Sequence, residues 1–272
     1  MRMARTAYVN GDLVASDQAR LFADDSGFER GDAVFSTLRV ESGEPLDVRL
    51  HLDRLSQGLE RVGITIPETR QQLHRALVEV AHGAPRPLAR LRITVSRGRP
   101  SADATRVILA NPYHDLAPES LKQGVVVVVV SERIDSRSPL CGIKSTSCQL
   151  QVLAGRRARR QSAWEGLLLN ERERLVEGSR CNVIAQLDGR LLTPPLTDGC
   201  LPGTIRKHLL DAGWIEEGTI CRRDLPRVGG MLLSNSLIGV VPVAVLDGRK
   251  LRPFAQLDSL RLQLQSLRER DS

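Results

Sequence analysis

Aromatic side chains are scarce in this chain, 3 % of 272 residues: four Phe, two Trp and two Tyr. Platforms on which bases could stack are therefore nearly absent. A net charge of +7, from 39 basic against 32 acidic residues, would otherwise suggest nucleic-acid binding. The basic residues are dispersed, however, and the one dense cluster, Arg156, Arg157, Arg159 and Arg160, reads as a solvated helix face. A diffuse positive field of this kind suits an anionic small-molecule substrate. Cysteine is limited to five residues, an odd number with no Cys-x-x-Cys pair, which argues against a disulfide framework and fits a reducing compartment. The five histidines show no metal-ligand spacing, so no metal is expected. Long apolar runs are missing too. The longest, Val125 to Val130, is far too short to span a bilayer, and the N-terminus has no signal-peptide core. The expectation is a cytoplasmic protein with neither a membrane nor a nucleic-acid partner.

Lysine is also rare. Only Lys122, Lys144, Lys207 and Lys250 stand among the 39 basic residues. Arginine cannot shed its proton to become a nucleophile, whereas lysine can.

What is present reads as two blocks. Asn10-Gly11 is a two-residue turn between short strands. Ala33 to Val40 is a strand, Leu50 to Val62 and Leu73 to Ala81 have helical spacing, and Leu91 to Val95 and Val107 to Ala110 are strands. This makes a smaller α+β domain over residues 1–115. Asn111 to Gln123, with Pro112 and Pro118, reads as a linker. A larger domain over 116–272 follows. It opens with the valine strand, expected to be buried on both faces. Helices are expected over Ser147 to Trp164, Thr204 to Ala212 and Leu257 to Leu267. Strands are expected over Gly166 to Leu169, Asn182 to Leu187, Met231 to Leu233 and Val240 to Val245. Lys144 falls in this larger domain.

Several residues admit a chemical use beside a structural one. Lys144 sits between small residues, Cys141-Gly142-Ile143 and Ser145-Thr146-Ser147. Glu177, before Gly178-Ser179, is a strand-end carboxylate or an acceptor for a cofactor N–H. Arg54, three residues after His51, is a solvated helix residue or a bidentate phosphate clamp. Pro202-Gly203-Thr204 marks a helix start, and Ser234-Asn235-Ser236 is a polar turn or a phosphate cradle. An amine, a carboxylate and a helix N-terminus are what a protein supplies to hold pyridoxal 5'-phosphate.

Seven segments occur in an order that resembles the fold type IV pyridoxal-phosphate enzymes, the class IV aminotransferase superfamily. They are Ser26-Gly-Phe-Glu-Arg-Gly-Asp-Ala-Val-Phe35, His51-Leu-Asp-Arg-Leu55, Gly142-Ile-Lys144, Val176-Glu-Gly-Ser179, Asn182, Leu201-Pro-Gly-Thr-Ile-Arg206 and Ser234-Asn-Ser-Leu237. The resemblance implies a two-domain α/β fold, with an α+β small domain and a larger α/β-barrel-like domain. It also implies a cofactor between the domains and a homodimer. By the same resemblance Lys144 is the Schiff-base lysine and proton carrier, and Glu177 partners the pyridine nitrogen. Arg54, Thr204, Ile205 and Ser236 hold the phosphate. Within the superfamily, Phe35-Ser-Thr-Leu-Arg39 and Ser234-Asn-Ser-Leu-Ile-Gly-Val-Val-Pro-Val243 look most like aminodeoxychorismate lyases, which release 4-aminobenzoate and pyruvate in folate biosynthesis. A transaminase acting on D-amino or branched-chain amino acids is the alternative. Two departures stand out: Arg30, at a position that is usually aromatic in the superfamily, and Arg99-Pro-Ser-Ala after Arg97-Gly98, in place of the glycine-rich loop of some lyases. Arg30 and Arg97 are the expected binders of a substrate carboxylate, with Arg92 or Arg39 next in line.

Overall fold

A computed structural model describes residues 6–254 and 256–270. The chain divides into two compact units. Of the described residues, the first comprises 6–114, 143–147 and 268–270, and the second 115–142, 148–254 and 256–267. The division expected at 115/116 differs in one consequential respect. The pentapeptide carrying Lys144 belongs to the first unit, not to the C-terminal one, because its backbone pairs with a strand of that unit (below).

The first unit runs β1 (Thr6–Val9), β2 (Asp12–Ala15), α1 (Ser26–Arg30), β3 (Ala33–Glu41), β4 (Glu44–Pro45), α2 (Val48–Val62), α3 (Arg70–His82), β5 (Leu88–Ser96) and β6 (Thr105–Pro112). The strands form one antiparallel sheet in the order β2-β1-β6-β5-β3-β4. Side chains alternate along a strand, and the sequence alternates with them. Val34, Leu38, Leu91, Ile93 and Ile108 pack under Leu52, Leu55, Leu59 of α2 and Leu73, Leu77, Val80 of α3. Phe35, Thr37, Arg39, Arg92 and Thr94 fall on the opposite face. α3 is closed by a capping box between Thr69 and Gln72. Helix α1 is too short to announce itself by periodicity. It is set by Asp25, whose carboxylate caps Gly27 N at 2.8 Å, and by Gly31 in the left-handed region (φ +71°).

The second unit runs α4 (Pro118–Gln123), β7 (Val125–Ile134), α5 (Gln149–Arg160), β8 (Glu165–Asn170), β9 (Leu175–Gly178), β10 (Asn182–Leu187), β11 (Arg190–Thr193), α6 (Thr204–Asp211), β12 (Glu216–Glu217), β13 (Gly230–Asn235), β14 (Gly239–Leu246), β15 (Arg249–Lys250) and α7 (Leu257–Arg270, of which residues 268–270 belong to the first unit). The expected linker is thus partly ordered. Asn111 and Pro112 finish β6, and Pro118 opens a helix, where its missing N–H is not needed. The sheet is mixed, ordered β12-β11-β10-β13-β14-β7-β8-β9 with β15 on β14, and β7 runs parallel to both its neighbours. Residues of β7, β8, β9, β10, β13 and β14 share one core, including Val127, Leu167, Leu175, Val183, Leu233 and Val241. Strands far apart in the order can share a core only if the sheet curls, which is the barrel-like shape.

The other face of β10, β13 and β14 is covered by α6 and α7. That of β7, β8 and β9 is covered by α5. The valine strand is less buried than expected. Val125, Val127 and Val130 are buried, but Val126 is 37 % exposed, because α5 covers the strand near Val130 and not at its start. No described helix is long and apolar enough to cross a membrane.

Candidate active site

In the first unit, Ile143–Ser147 lies against the start of β3. Phe35 N donates to Lys144 O (2.8 Å), Thr146 N donates to Ala33 O (2.9 Å), and Val34 and Ser145 form a bridge. The hydroxyls of Thr146 and Ser147 both donate to Gly31 O, at 2.8 and 3.0 Å. Gly31 is required twice over: its φ is positive, and a Cβ there would press on Ser147 Oγ. The small residues around Lys144 thus anchor its backbone. Ile143 joins the core on the helix side, so Lys144 turns to the opposite face. Its Nζ lies 4.9 Å from the centre of the Phe35 ring. The guanidinium of Arg92 lies 3.6 Å from the same ring centre, with Nε donating to Thr94 Oγ1 at 3.0 Å. An amine and a guanidinium therefore share one aromatic ring.

On the helix side of β3, Ser36 is fully buried, a polar residue at an otherwise apolar position of the strand. Its Oγ is 2.9 Å from His51 Nδ1 and accepts from Arg54 Nη2 at 3.0 Å. His51 and Arg54, three apart on α2, lie on one helix face. Burial lowers the Arg54 pKa to about 10, which still leaves it a cation at neutral pH. A phosphate is the kind of group that offsets a buried guanidinium, through paired charge-assisted bonds. Arg54→Ala is expected to weaken pyridoxal-phosphate binding by about 1.5–3 kcal/mol, roughly 10- to 150-fold. Activity should be partly recovered by excess cofactor. A cofactor titration followed by absorbance measures this, and unchanged affinity would assign Arg54 to structure alone.

Arg30 and Arg97 do not stand as expected. Arg30, the last residue of α1, is 68 % exposed and pairs with its neighbour Glu29 at 3.4 Å. No buried charge there calls for a substrate anion. The Arg97 guanidinium is engaged by Asp32 (2.6 Å) and by the carbonyls of Gly63 and Val62 (2.9 and 2.8 Å). It braces the start of β3 against the end of α2. These partners lie far away in the chain, so spacing alone could not reveal them.

In the second unit, Glu177 sits on β9, and its Oε2 accepts from Leu201 N at 2.9 Å. Thr204 and Ile205 are the first residues of α6 and are buried. The Thr204 hydroxyl is buried without a hydrogen-bond partner among the described residues, as is that of Ser234 on β13. Ser236 stands in the turn after β13, partly buried. An unsatisfied hydroxyl beside the first N–H groups of a helix fits a phosphate, since buried donors are otherwise costly. Among the described residues no cluster could hold a metal ion, and all five cysteines are free.

Residues 33–246 match the amino-transferase class IV family, and the chain belongs to it. A protein of Methanocaldococcus jannaschii, provisionally named a branched-chain-amino-acid aminotransferase, is 27 % identical over 255 residues, covering 89 % of this chain and 88 % of its own. The D-alanine aminotransferase of Bacillus licheniformis is 26 % identical over 252 residues, with 88 % of each chain covered. The PLP-bound form of a Mycobacterium tuberculosis protein, described as a hypothetical aminotransferase, superposes with a TM-score of 0.88. It is 23 % identical, and the match covers 98 % of this chain and 100 % of that one.

Proposed function

We propose that this protein is a pyridoxal-phosphate-dependent aminotransferase exchanging the amino group between an amino acid and a 2-oxo acid. The observation that carries the reading is the ring of Phe35, with Lys144 and Arg92 both set against it. An amino acid presents a carboxylate that the Arg92 guanidinium can pair with, and an amine that would take the place of the Lys144 amine on the cofactor. D-alanine and the branched-chain amino acids are the first substrates to assay, following the names of the relatives. The lyase expected from Phe35-Ser-Thr-Leu-Arg39 and Ser234-Asn-Ser-Leu-Ile-Gly-Val-Val-Pro-Val243 rests on those two sequence patterns. One structural point bears on it: Arg39 shares the Arg92 face of the sheet, but its Nε donates to Glu41 Oε1 at 2.6 Å, so a dicarboxylate would meet Arg92 and an already paired Arg39 there. We further propose a cytoplasmic homodimer. The exposed Leu21, Phe22 and Phe28 of the first unit (57 %, 62 % and 76 %) are apolar surface that a second copy would cover.

Bound pyridoxal phosphate supplies a carbonyl for amines and an electron sink for the carbanion. Lys144 Nζ takes and returns the proton of the substrate α-carbon. The Glu177 carboxylate, oriented by Leu201 N–H, would hold positive charge on the pyridine nitrogen. By the family resemblance, Arg54 in the first unit, and the Thr204 hydroxyl and the first N–H groups of α6 in the second, would hold the phosphate. The Arg92 guanidinium orients the substrate carboxylate.

The discriminating experiment is a paired assay. One arm supplies D-alanine or leucine with 2-oxoglutarate, and the other supplies chorismate with an aminodeoxychorismate synthase. Transamination without 4-aminobenzoate is expected; 4-aminobenzoate without transamination would replace this reading by the lyase. Arg92→Leu should lower kcat/KM by about 10- to 150-fold, the scale of one charge-assisted hydrogen bond, with cofactor absorbance intact. Arg30→Leu should leave kcat/KM nearly unchanged, whereas Arg97→Leu should lower Tm. A large kcat/KM loss in Arg30→Leu with none in Arg92→Leu would return the substrate anchor to Arg30.

A further inference from the structure

The peptide of Leu201 is held from both sides. Its N–H donates to Glu177 Oε2 at 2.9 Å, and its carbonyl accepts from Asn182 Nδ2 at 2.8 Å. Asn182 is 6 % exposed and opens β10, opposite Ser234 of β13. Its other amide atom, Oδ1, lies against Gly203, the N-cap of α6. A Cβ at position 203 would collide with that oxygen. Gly203 has φ −72°, a conformation open to any residue. The requirement for glycine there is therefore steric and comes from Asn182. One buried amide thus fixes two things two residues apart: the N–H that orients the Glu177 carboxylate, and the entry into α6, where the Thr204 hydroxyl is left unsatisfied.

The geometry points to Asn182 as a positioning residue that ties the pyridine-nitrogen carboxylate to the phosphate-binding helix start. This rests on the cofactor assignment above. Removing the amide frees the Leu201 peptide, so Glu177 loses its orientation and α6 loses its defined entry at once. Arg54 is assigned to the phosphate and not to the Glu177 carboxylate, which makes its variant the natural contrast.

The test uses full-length protein reloaded with pyridoxal phosphate. Asn182→Ala should raise the cofactor dissociation constant roughly tenfold, the upper range for one net hydrogen bond. At saturating cofactor it should keep a several-fold kcat deficit, whereas the activity of Arg54→Ala is partly recovered. Gly203→Ala alone should also raise the dissociation constant, by forcing Asn182 aside. The double variant Asn182→Ala/Gly203→Ala should bind no worse than Asn182→Ala, because the oxygen that the new methyl would strike is gone. That non-additivity separates positioning from a general loss of stability. Additive penalties in the double variant, or cofactor binding in Asn182→Ala equal to the parent, would overturn the proposal. Should Asn182→Ala not fold, Asn182→Ser takes its place in the same cycle. Failure of the parent protein itself to bind pyridoxal phosphate is a different result, and would overturn the cofactor assignment instead.

Discussion

Lys144→Ala is expected to abolish turnover, by roughly 10⁴-fold or more, the scale seen when a catalytic nucleophile or base is removed. It should also remove the visible absorbance of the lysine-bound cofactor. Alanine keeps the backbone pairing of Lys144 O with Phe35 N and of Thr146 N with Ala33 O, so the fold should persist and the loss be chemical. Borohydride reduction of the parent protein followed by peptide mass spectrometry should place the adduct on Lys144. The competing lysines are poor candidates: Lys122 and Lys250 are exposed, and Lys207 is an exposed partner of Asp211 at 2.9 Å. An adduct on any of the three would end this assignment. So would wild-type absorbance in Lys144→Ala.

Glu177→Gln is expected to lower kcat by roughly 10²- to 10³-fold, about 2.7–4 kcal/mol, comparable to removing one well-placed electrostatic partner from an active site. The amide oxygen can still accept from Leu201 N, so the segment before α6 and the cofactor site should survive. On the proposed assignment, what would be lost is the negative charge that keeps a proton on the pyridine nitrogen. Stopped-flow turnover at saturating cofactor, together with a cofactor titration, separates these effects. Near-parental kcat with unchanged spectra would show that the carboxylate acts elsewhere.

Local chemistry made much of the scaffold legible. The apolar spacing of Leu52, Leu55 and Leu59 marks α2, the alternation in β3 and β5 marks the sheet and its two faces, and Asn10-Gly11 marks the hairpin turn. Each depends on a repeat within a few residues, which a sequence displays directly. The short elements escaped because they lack a repeat: α1 has five residues, and its signal is a cap at Asp25 and a left-handed Gly31. Ser36 carried a usable signal, a lone hydroxyl at a core position of a strand, which in a folded protein needs a partner.

The sequence by itself determined which residues had chemistry to offer. A lysine among arginines, a carboxylate before Gly-Ser, and a Pro-Gly-Thr helix start are local statements, and their order along the chain carried the family. Only the tertiary structure decided who meets whom. Arg97 finds Asp32, 65 positions away, Lys144 belongs with β3 and not with the unit that follows it, and Asn182 reaches Leu201 across 19 positions. The physical reason is the range of the forces involved. Periodicity and caps act within a turn or two, whereas the partner of a buried charge or amide is set by packing among segments that no local pattern brings together.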